Sequence, residues 1–304
     1  MAGANLPAKK YKKTSPTTLR LSFEGTGNVT RFIDIGRALS AINRKFYRQG
    51  VYYYVNSVEL YNNEDAFVDL HTLPDSWTTK NAWNMGFNMF QKMNAQVDTP
   101  RPKYHDFKIK MSALQTEANT MDPEMFGINS AYSSIAPNDW DLSKFTTMKS
   151  NGGDSDQFEV HMLGDHTGSE GSWTSIGLIK SYALSRQTPD TSGDPVLRSG
   201  HNTDPLLNIF DASGDYALED IASTLDTLND ETPYGTFYIG ESANSMQHVA
   251  RLATSVTTGR VAKASGFCVP FGLICVDPQS TSTAYRVVIN LAAGTYHGTY
   301  AERA

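Results

Sequence analysis

Short segments in which apolar and polar residues alternate recur along the chain, and this pattern predicts β-strands. The clearest are VYYYVNSVEL at residues 51–60 and FVDLHTL at residues 67–73, and the polar cluster YNNED between them suits a hairpin turn. Leu19, Leu21 and Phe23 alternate with polar neighbours and predict a short strand near the start. The remaining strand candidates are residues 107–111, 158–162, 236–239, 267–276 and 284–291.

Two segments carry the spacing of three and four residues that is typical of an amphipathic helix. In residues 76–95 this spacing relates large side chains such as Trp83 and Phe87, and Asp75 is placed to cap the first turn. Residues 215–228 repeat the spacing, and a Thr-Pro dipeptide shortly after them ends the helix. We expect both apolar stripes to pack against a sheet.

The many short strands, joined by loops rich in Gly, Ser, Asp and Asn, favour a sandwich or jelly roll over a βαβ repeat. The predicted fold class is therefore all-β with a few helices and loop insertions. We expect a mobile N-terminal arm at residues 1–16 and one large domain at residues 17–304. Residues 186–260 begin with an aperiodic Pro- and Gly-rich stretch, and we expect a surface elaboration there.

The N-terminal segment NLPAKKYKKTSPTTLR is basic, although the whole chain has a net charge of −6. Its cations are Lys9, Lys10, Lys12, Lys13 and Arg20. Subtracting these five leaves 21 basic against 32 acidic residues beyond residue 20, a net charge of −11. The lysines are spaced for successive phosphate contacts, and Tyr11 between them is able to stack on a base, so the segment predicts nucleic-acid binding. The alternatives are a solvated terminus or a nuclear-import signal.

Patterns for catalysis and for metal binding are weak. HMLGDHTGSE at residues 161–170 holds two histidines and two carboxylates, but its His-x4-His spacing fits neither one helix face nor alternate strand positions. NGGDSDQFE, with Asp154 and Asp156, fails the EF-hand pattern, so calcium there would need ligands from a second subunit. GESAN at residues 240–244 lacks the closing glycine of a nucleophile elbow. We predict no enzyme, no metal site and no cofactor beyond such a structural calcium ion at subunit contacts.

The two cysteines, Cys268 and Cys275, lie in one apolar run, where we expect them to be buried and reduced. The longest apolar run, at residues 266–276, is far shorter than the roughly 18 residues that span a bilayer. No charged-then-apolar leader opens the chain. We therefore expect a soluble protein without a membrane partner.

Six segments, in order along most of the chain, resemble the capsid proteins of small circular single-stranded DNA viruses known mainly from marine environments, including the bacilladnavirus group. They are INRKFYRQG (42–50), LPDSWTTKNAW (73–83), SIGLIKSYALSR (175–186), DPLLNIFDASGD (204–215), NDETPYG (229–235) and AGTYHGTYAERA (293–304). The resemblance implies a single antiparallel jelly-roll sandwich of two four-stranded sheets. It also implies a virion protein that self-assembles into an icosahedral homo-oligomer around viral single-stranded DNA, with assembly in the host nucleus.

In such shells a basic N-terminal arm points inward to the genome, and the resemblance assigns this role to Lys9, Lys10, Lys12 and Lys13. The arm is shorter than the arginine-rich arms of many relatives, so we expect it to act through many copies in one shell. An inner basic surface is expected to help, formed by Arg31, Arg37, Arg44, Lys45 and Arg48.

Two other functions remain as hypotheses. A jelly-roll carbohydrate-binding protein or glycosidase would stack exposed Trp77, Trp140 and Trp173 on sugars, but its paired carboxylates cannot be assigned from the sequence. A nucleic-acid-binding protein that does not assemble is disfavoured, because its acidic body would repel DNA outside the arm.

Overall fold

The computed structural model describes residues 17–95, 104–126, 132–136, 140–147, 156–169, 172–186, 239–240, 245–257, 259–279, 281 and 283–303. The chain divides into two compact units, one formed by residues 1–182 and 239–304 and the other by residues 183–238. Every described strand belongs to the first unit. Of the second unit, the structure describes only residues 183–186, which end a helix.

Strands dominate the described part of the chain. In chain order they are β1 (Arg20–Thr26), β2 (Arg31–Asp34), β3 (Val51–Tyr61), β4 (Ala66–Thr72), β5 (Lys110–Ser112), β6 (Glu124–Phe126), β7 (Tyr132–Ser134), β8 (Lys144–Thr147), β9 (Asp156–Leu163), β10 (Ser175–Gly177), β11 (Gln247–Thr254), β12 (Val261–Val269), β13 (Leu273–Gln279), β14 (Ala284–Leu291), β15 (Ala293–Tyr296) and β16 (Ala301–Arg303). The α-helices are α1 (Ile35–Asn43), α2 (Trp77–Ala95) and α3 (Leu178–Arg186). The prediction of an all-β fold with a few helices is confirmed.

Two antiparallel sheets form the main body. The larger has seven strands in the order β12-β3-β14-β1-β6-β7, with β16 also pairing with β3, and the smaller has the order β11-β4-β13-β2. Four antiparallel pairs are nested in the chain: β1 with β14, β2 with β13, β3 with β12, and β4 with β11. The first four strands therefore pair, in order, with four late strands taken in reverse order.

The core lies where the inner faces of the two sheets meet. Alternate residues of the strands point inward, for example Leu21 and Phe23 of β1, both fully buried, and Val68 and Leu70 of β4. Burying one such side chain contributes about 1.5–3 kcal/mol to stability. The alternation of apolar and polar residues in the sequence therefore correctly indicates which face of each strand is buried.

The segment between β4 and β11 is an insertion that carries α2, α3 and a small third sheet. In that sheet β9 pairs with β10, β5 and β8. Trp83 of α2 stacks on Phe87, with ring centroids 4.9 Å apart, and on Phe271, at 5.3 Å. Gly50 lets the chain pass this indole, since a Cβ there would lie 2.2 Å from the ring. The aromatic spacing in α2 thus forms its buried face, as expected.

The predicted hairpin between residues 51–60 and 67–73 is wrong, although both strands exist. β3 lies in the seven-stranded sheet and β4 in the four-stranded sheet, so the polar turn between them carries the chain from one sheet to the other. Both edges of β4 are filled by β11 and β13, which leaves no edge for β3.

The strand predicted at residues 267–276 is in fact two strands. β12 ends at Val269, a 3-10 turn covers Pro270–Gly272, and β13 begins in the other sheet. Phe271 has a φ of 56°, so the backbone turns a sharp corner there. Both cysteines are free; Cys275 is buried as expected, whereas Cys268 is only half-buried.

Smaller differences concern element boundaries. The hydroxyl of Ser76, not the carboxylate of Asp75, accepts the hydrogen bond from the backbone N–H of Thr79 at the start of α2. The strand expected at residues 107–111 begins only at Lys110. Residues 247–254, inside the expected surface elaboration, are β11 of the four-stranded sheet. The predicted helix at residues 215–228 and residues 236–238 of a predicted strand lie outside the described residues.

Candidate nucleic-acid interface

The described chain begins at a point that is hydrogen-bonded to two other segments. The backbone N–H of Thr18 donates to Asn43 Oδ1 at 2.7 Å, and Asn43 Nδ2 donates to the Thr18 carbonyl at 3.1 Å. The hydroxyls of Thr17 and Tyr47 both donate to the carbonyl of His297, at 2.6 and 3.0 Å. The N-terminal segment therefore enters the body beside the last residue of α1 and the turn after β15. We call this place the arm entrance.

The predicted arm residues Lys9, Lys10, Lys12 and Lys13 lie outside the described residues. Arg20, the fifth predicted contact, is the first residue of β1, and its side chain is 62% exposed. Its guanidinium lies 3.3 Å from Glu59 Oε2, so this cation is already paired with a carboxylate of β3.

The segment RKFYR at residues 44–48 lies next to the arm entrance and presents cations to solvent. Arg44 ends α1 with a φ of 53°, in the left-handed region that usually holds glycine, and its side chain is exposed. Arg48 is 59% exposed and lies 3.3 Å from Asp106, whose side chain is only 9% exposed. Burial raises the pKa of Asp106, and Arg48 opposes that shift.

An aromatic cluster, defined here as Phe46, Tyr104 and Trp140, continues this surface. The Phe46 ring centroid lies 5.9 Å from that of Tyr104 and 6.2 Å from that of Trp140. Lys108 Nζ lies 4.5 Å from the centroid of Trp140, a cation–π contact on one side of the indole. Tyr104 is 58% exposed, and Phe46 and Trp140 are half-buried.

The five residues expected to form an inner basic surface do not all belong to it. Arg37 is buried, and its guanidinium lies 2.6 Å from Glu117 Oε1 and 2.9 Å from Asp122 Oδ1. Arg31 donates to the backbone and side-chain oxygens of Thr26. Arg44, Lys45 and Arg48 lie together at the arm entrance.

A buried carboxylate lies close to Arg37 at the start of α1. Asp34 caps the helix by accepting from the Arg37 backbone N–H at 3.0 Å, and its other oxygen accepts from Gln49 Nε2 at 3.0 Å. Burial raises the pKa of Asp34 to about 6, against these hydrogen bonds and the charge of Arg37. The Asp34 carboxylate is therefore inside the protein, where it links the start of α1 to Gln49.

Charged side chains on the outer face of the seven-stranded sheet also compensate one another. Glu59 lies 3.3 Å from Arg20 and 3.4 Å from Lys263, and it accepts from the Tyr61 hydroxyl at 3.0 Å. The Tyr61 hydroxyl, followed by Lys263 and Arg20, holds the pKa of Glu59 below its ordinary value. This face offers little uncompensated positive charge to a polyanion.

The histidines considered for metal binding have other partners. His161 is fully buried, and its two ring nitrogens lie 2.6 Å from Ser175 Oγ and 3.1 Å from the Asp165 carbonyl. Burial lowers the pKa of His161 to about 4. His166 Nδ1 accepts a backbone hydrogen bond, and Glu170 lies outside the described residues. Among the described residues, no group of three or more His, Cys, Asp or Glu side chains is arranged to hold a metal ion.

The tryptophans expected to bind sugars lie in three different environments. Trp77 is 40% exposed and meets the ring of Tyr182 edge-on, and Trp173 meets the ring of His166 in the same way. Trp140 belongs to the aromatic cluster. No sugar-binding platform follows from these contacts.

The sequence contained part of the signal for this interface. Cations and aromatic rings alternate in RKFYR, which is visible without a structure. Tyr104 and Trp140, however, come from the insertion after β4, far from Phe46 in sequence. Only the fold brings the three rings together.

No model of a known protein family matches the chain, and neither curated proteins nor solved structures contain a match. Within the described residues, no helix is both long and apolar enough to cross a lipid bilayer.

Proposed function

We propose that this protein is a jelly-roll capsid subunit that assembles into a closed shell and packages single-stranded nucleic acid through its N-terminal arm. The observation that carries the proposal is the nested pairing of β1–β4 with β11–β14. A double-sheet jelly roll has eight antiparallel strands in two Greek keys.

The distribution of these pairs supports the jelly roll. The pairs β1–β14 and β3–β12 lie in the seven-stranded sheet, and the pairs β2–β13 and β4–β11 lie in the four-stranded sheet. Contacts of β14 with β3 and of β13 with β4 join the pairs side by side. A long antiparallel ribbon of four strand pairs, wound so that alternate pairs fall in opposite sheets, gives this order.

The charge pattern supports packaging. The lysines at 9, 10, 12 and 13 precede the arm entrance, where the exposed Arg44 and its neighbour Lys45 add positive charge. The rest of the chain is acidic, so attraction to a polyanion concentrates at this one place. Copies in a shell would add these weak contacts together.

Electron microscopy of the purified protein, with the ratio of absorbance at 260 and 280 nm, tests the proposal. We expect closed particles of uniform size that contain nucleic acid. A matched full-length variant with glutamine at positions 9, 10, 12 and 13 should still form particles but carry less nucleic acid, because the sequence of this segment is rich in charge and poor in apolar residues. A protein that stays monomeric at every salt concentration and pH would overturn the proposal.

A further inference from the structure

We infer that the aromatic cluster of Phe46, Tyr104 and Trp140 is a base-stacking site for single-stranded nucleic acid, separate from the arm. The inference rests on the proposed function and adds a second contact site on the body of the subunit. It names unpaired bases, and not only phosphates, as what this surface recognises.

The cluster has the components that sequence-tolerant single-strand binding requires. Such sites combine exposed aromatic rings, on which bases stack, with cations that follow the phosphates. Tyr104 is 58% exposed, and Phe46 and Trp140 present half-buried rings beside it. Lys108, itself buried, lies 4.5 Å from the Trp140 ring centroid and 6.0 Å from that of Phe46.

The cations beside Phe46 complement a phosphate backbone. Arg44 and Lys45 directly precede Phe46, and Arg48 follows two residues later. Arg44 has no ion-pair partner in the part of the chain that the structure describes. Arg48 lies 3.3 Å from the carboxylate of Asp106, so its charge is already partly compensated within the chain.

Backbone conformation at Arg44 gives an independent argument. Only three described non-glycine residues have a positive φ: Arg44, Phe271 and His297. Two of them flank the arm entrance, whereas Phe271 is buried at a corner. A non-glycine residue in this region costs about 1–2 kcal/mol, so glycine would serve the fold better at the end of α1. The exposed guanidinium at this strained position points to a partner outside the chain.

The rings favour single strands over duplex. Stacking needs an unpaired base whose face is open, and in a duplex each base face is covered by its neighbours. We expect oligonucleotides of either DNA or RNA to bind, because stacking on a ring depends on the face of the base and not on the sugar.

The test uses the full-length chain with glutamine at positions 9, 10, 12 and 13, which removes the charge of the arm. A labelled oligothymidine of about 12 nucleotides is titrated, and its fluorescence anisotropy gives the Kd. A duplex of the same length and an oligouridine are the comparison ligands. We expect the oligothymidine and the oligouridine to bind more tightly than the duplex.

Tyr104→Ala should raise the Kd for the oligothymidine at least about fivefold, since each stacked base contributes more than about 1 kcal/mol. Tyr104→Phe, which keeps the ring, should restore binding. Tyr61→Ala is the matched control, since Tyr61 is also an exposed tyrosine but is the last residue of β3 and not a member of the aromatic cluster. Quenching of tryptophan emission on binding should be lost in Trp140→Phe.

Equal affinities for Tyr104→Ala and Tyr61→Ala, or tighter binding of the duplex than of the single strand, would overturn the inference. The proposed function fails by a different observation, the absence of particles. If particles package nucleic acid but Tyr104→Ala binds as tightly as the parent, the stacking site alone is wrong. If Tyr104→Ala weakens binding while no condition yields particles, the capsid proposal is wrong and the stacking site stands.

Discussion

The two ends of α1 carry arginines in opposite situations. At the first turn Arg37 is buried and paired with Glu117 and Asp122, while Asp34 caps the helix from inside the protein. At the last residue Asn43 binds the incoming N-terminal segment through its amide, and Arg44 projects into solvent from a left-handed backbone. One end fastens the helix to the fold, and the other faces outward.

The difference teaches which charges are available to a partner. A cation whose carboxylates are supplied by its own chain contributes to stability and adds little to long-range attraction of a polyanion. A cation without such a carboxylate contributes little to stability and attracts a polyanion. Substitutions at the two ends should therefore separate stability from binding.

The largest expected effect is the loss of stability on substitution of Arg37. Arg37→Ala should lower the free energy of unfolding by about 3 kcal/mol, because it leaves Asp122 and the buried end of α1 without their cation. Urea denaturation of the unassembled protein measures this loss. Arg44→Ala is the control, since substitutions at exposed positions usually change stability by less than about 0.5 kcal/mol. Equal losses in the two variants would contradict the contrast between the ends of α1.

Asp34 should give the buried end a pH dependence. Burial raises the pKa of Asp34 to about 6 from an ordinary value of 3.8, so the folded state favours the protonated carboxyl. Its contribution to stability is therefore fully present below about pH 4 and is lost as the pH rises to about 6, a change on the order of 1–3 kcal/mol. The difference in unfolding free energy between wild type and Asp34→Asn, followed from pH 4 to pH 7, measures it. A difference that does not change with pH would count against a raised pKa.

The sequence predicted strands far better than their partners. Alternation placed β3, β4 and β14 within about two residues, because inward positions along a strand are apolar whatever lies next to it. Pairing is not local: Tyr61 of β3 lies opposite Val261 of β12, 200 residues later. For this reason the sequence wrongly predicted a hairpin at the turn after β3. It also predicted one strand across the corner at Phe271, because the strands on both sides of that corner are apolar.

For the candidate site, too, the sequence predicted the individual residues but not their partners. Arg37 and Arg44 are alike in sequence, seven residues apart, and the expected basic surface included both. What separates them is Glu117, 80 residues beyond Arg37, whose position depends on the insertion after β4. The local sequence pattern identifies the cations, but only the tertiary structure shows which carboxylates pair with them.

At the exposed end, Arg44→Gly and Arg44→Ala should separate strain from charge. Both remove the same cation, so both should weaken binding of single-stranded oligonucleotides equally. The glycine variant should be more stable than the alanine variant by about 1 kcal/mol, because only glycine adopts a φ of 53° without strain. Thermal unfolding compares the two, and anisotropy gives their affinities. An alanine variant as stable as the glycine variant would show that the backbone is not strained there.

The smallest expected effect concerns Glu59, which compensates Arg20 and Lys263 on the outer face of the seven-stranded sheet. If compensation is what keeps this face from binding, Glu59→Gln should tighten nucleic-acid binding about two- to fivefold and steepen its salt dependence, because up to two more cations meet phosphates. Stability should change by less than about 1 kcal/mol, as for other exposed ion pairs.

Asp75→Asn is the control for Glu59→Gln, since it removes the same charge beside Lys80 at the start of α2, 3.0 Å away. An equal gain in both variants would mean that net charge alone governs binding and that the position of the carboxylate is irrelevant. A gain in Glu59→Gln alone would mean that Arg20 is able to contact nucleic acid, as predicted from the sequence, once Glu59 no longer pairs with it. Glu59 on β3 would then be the carboxylate that keeps Arg20 from binding a polyanion.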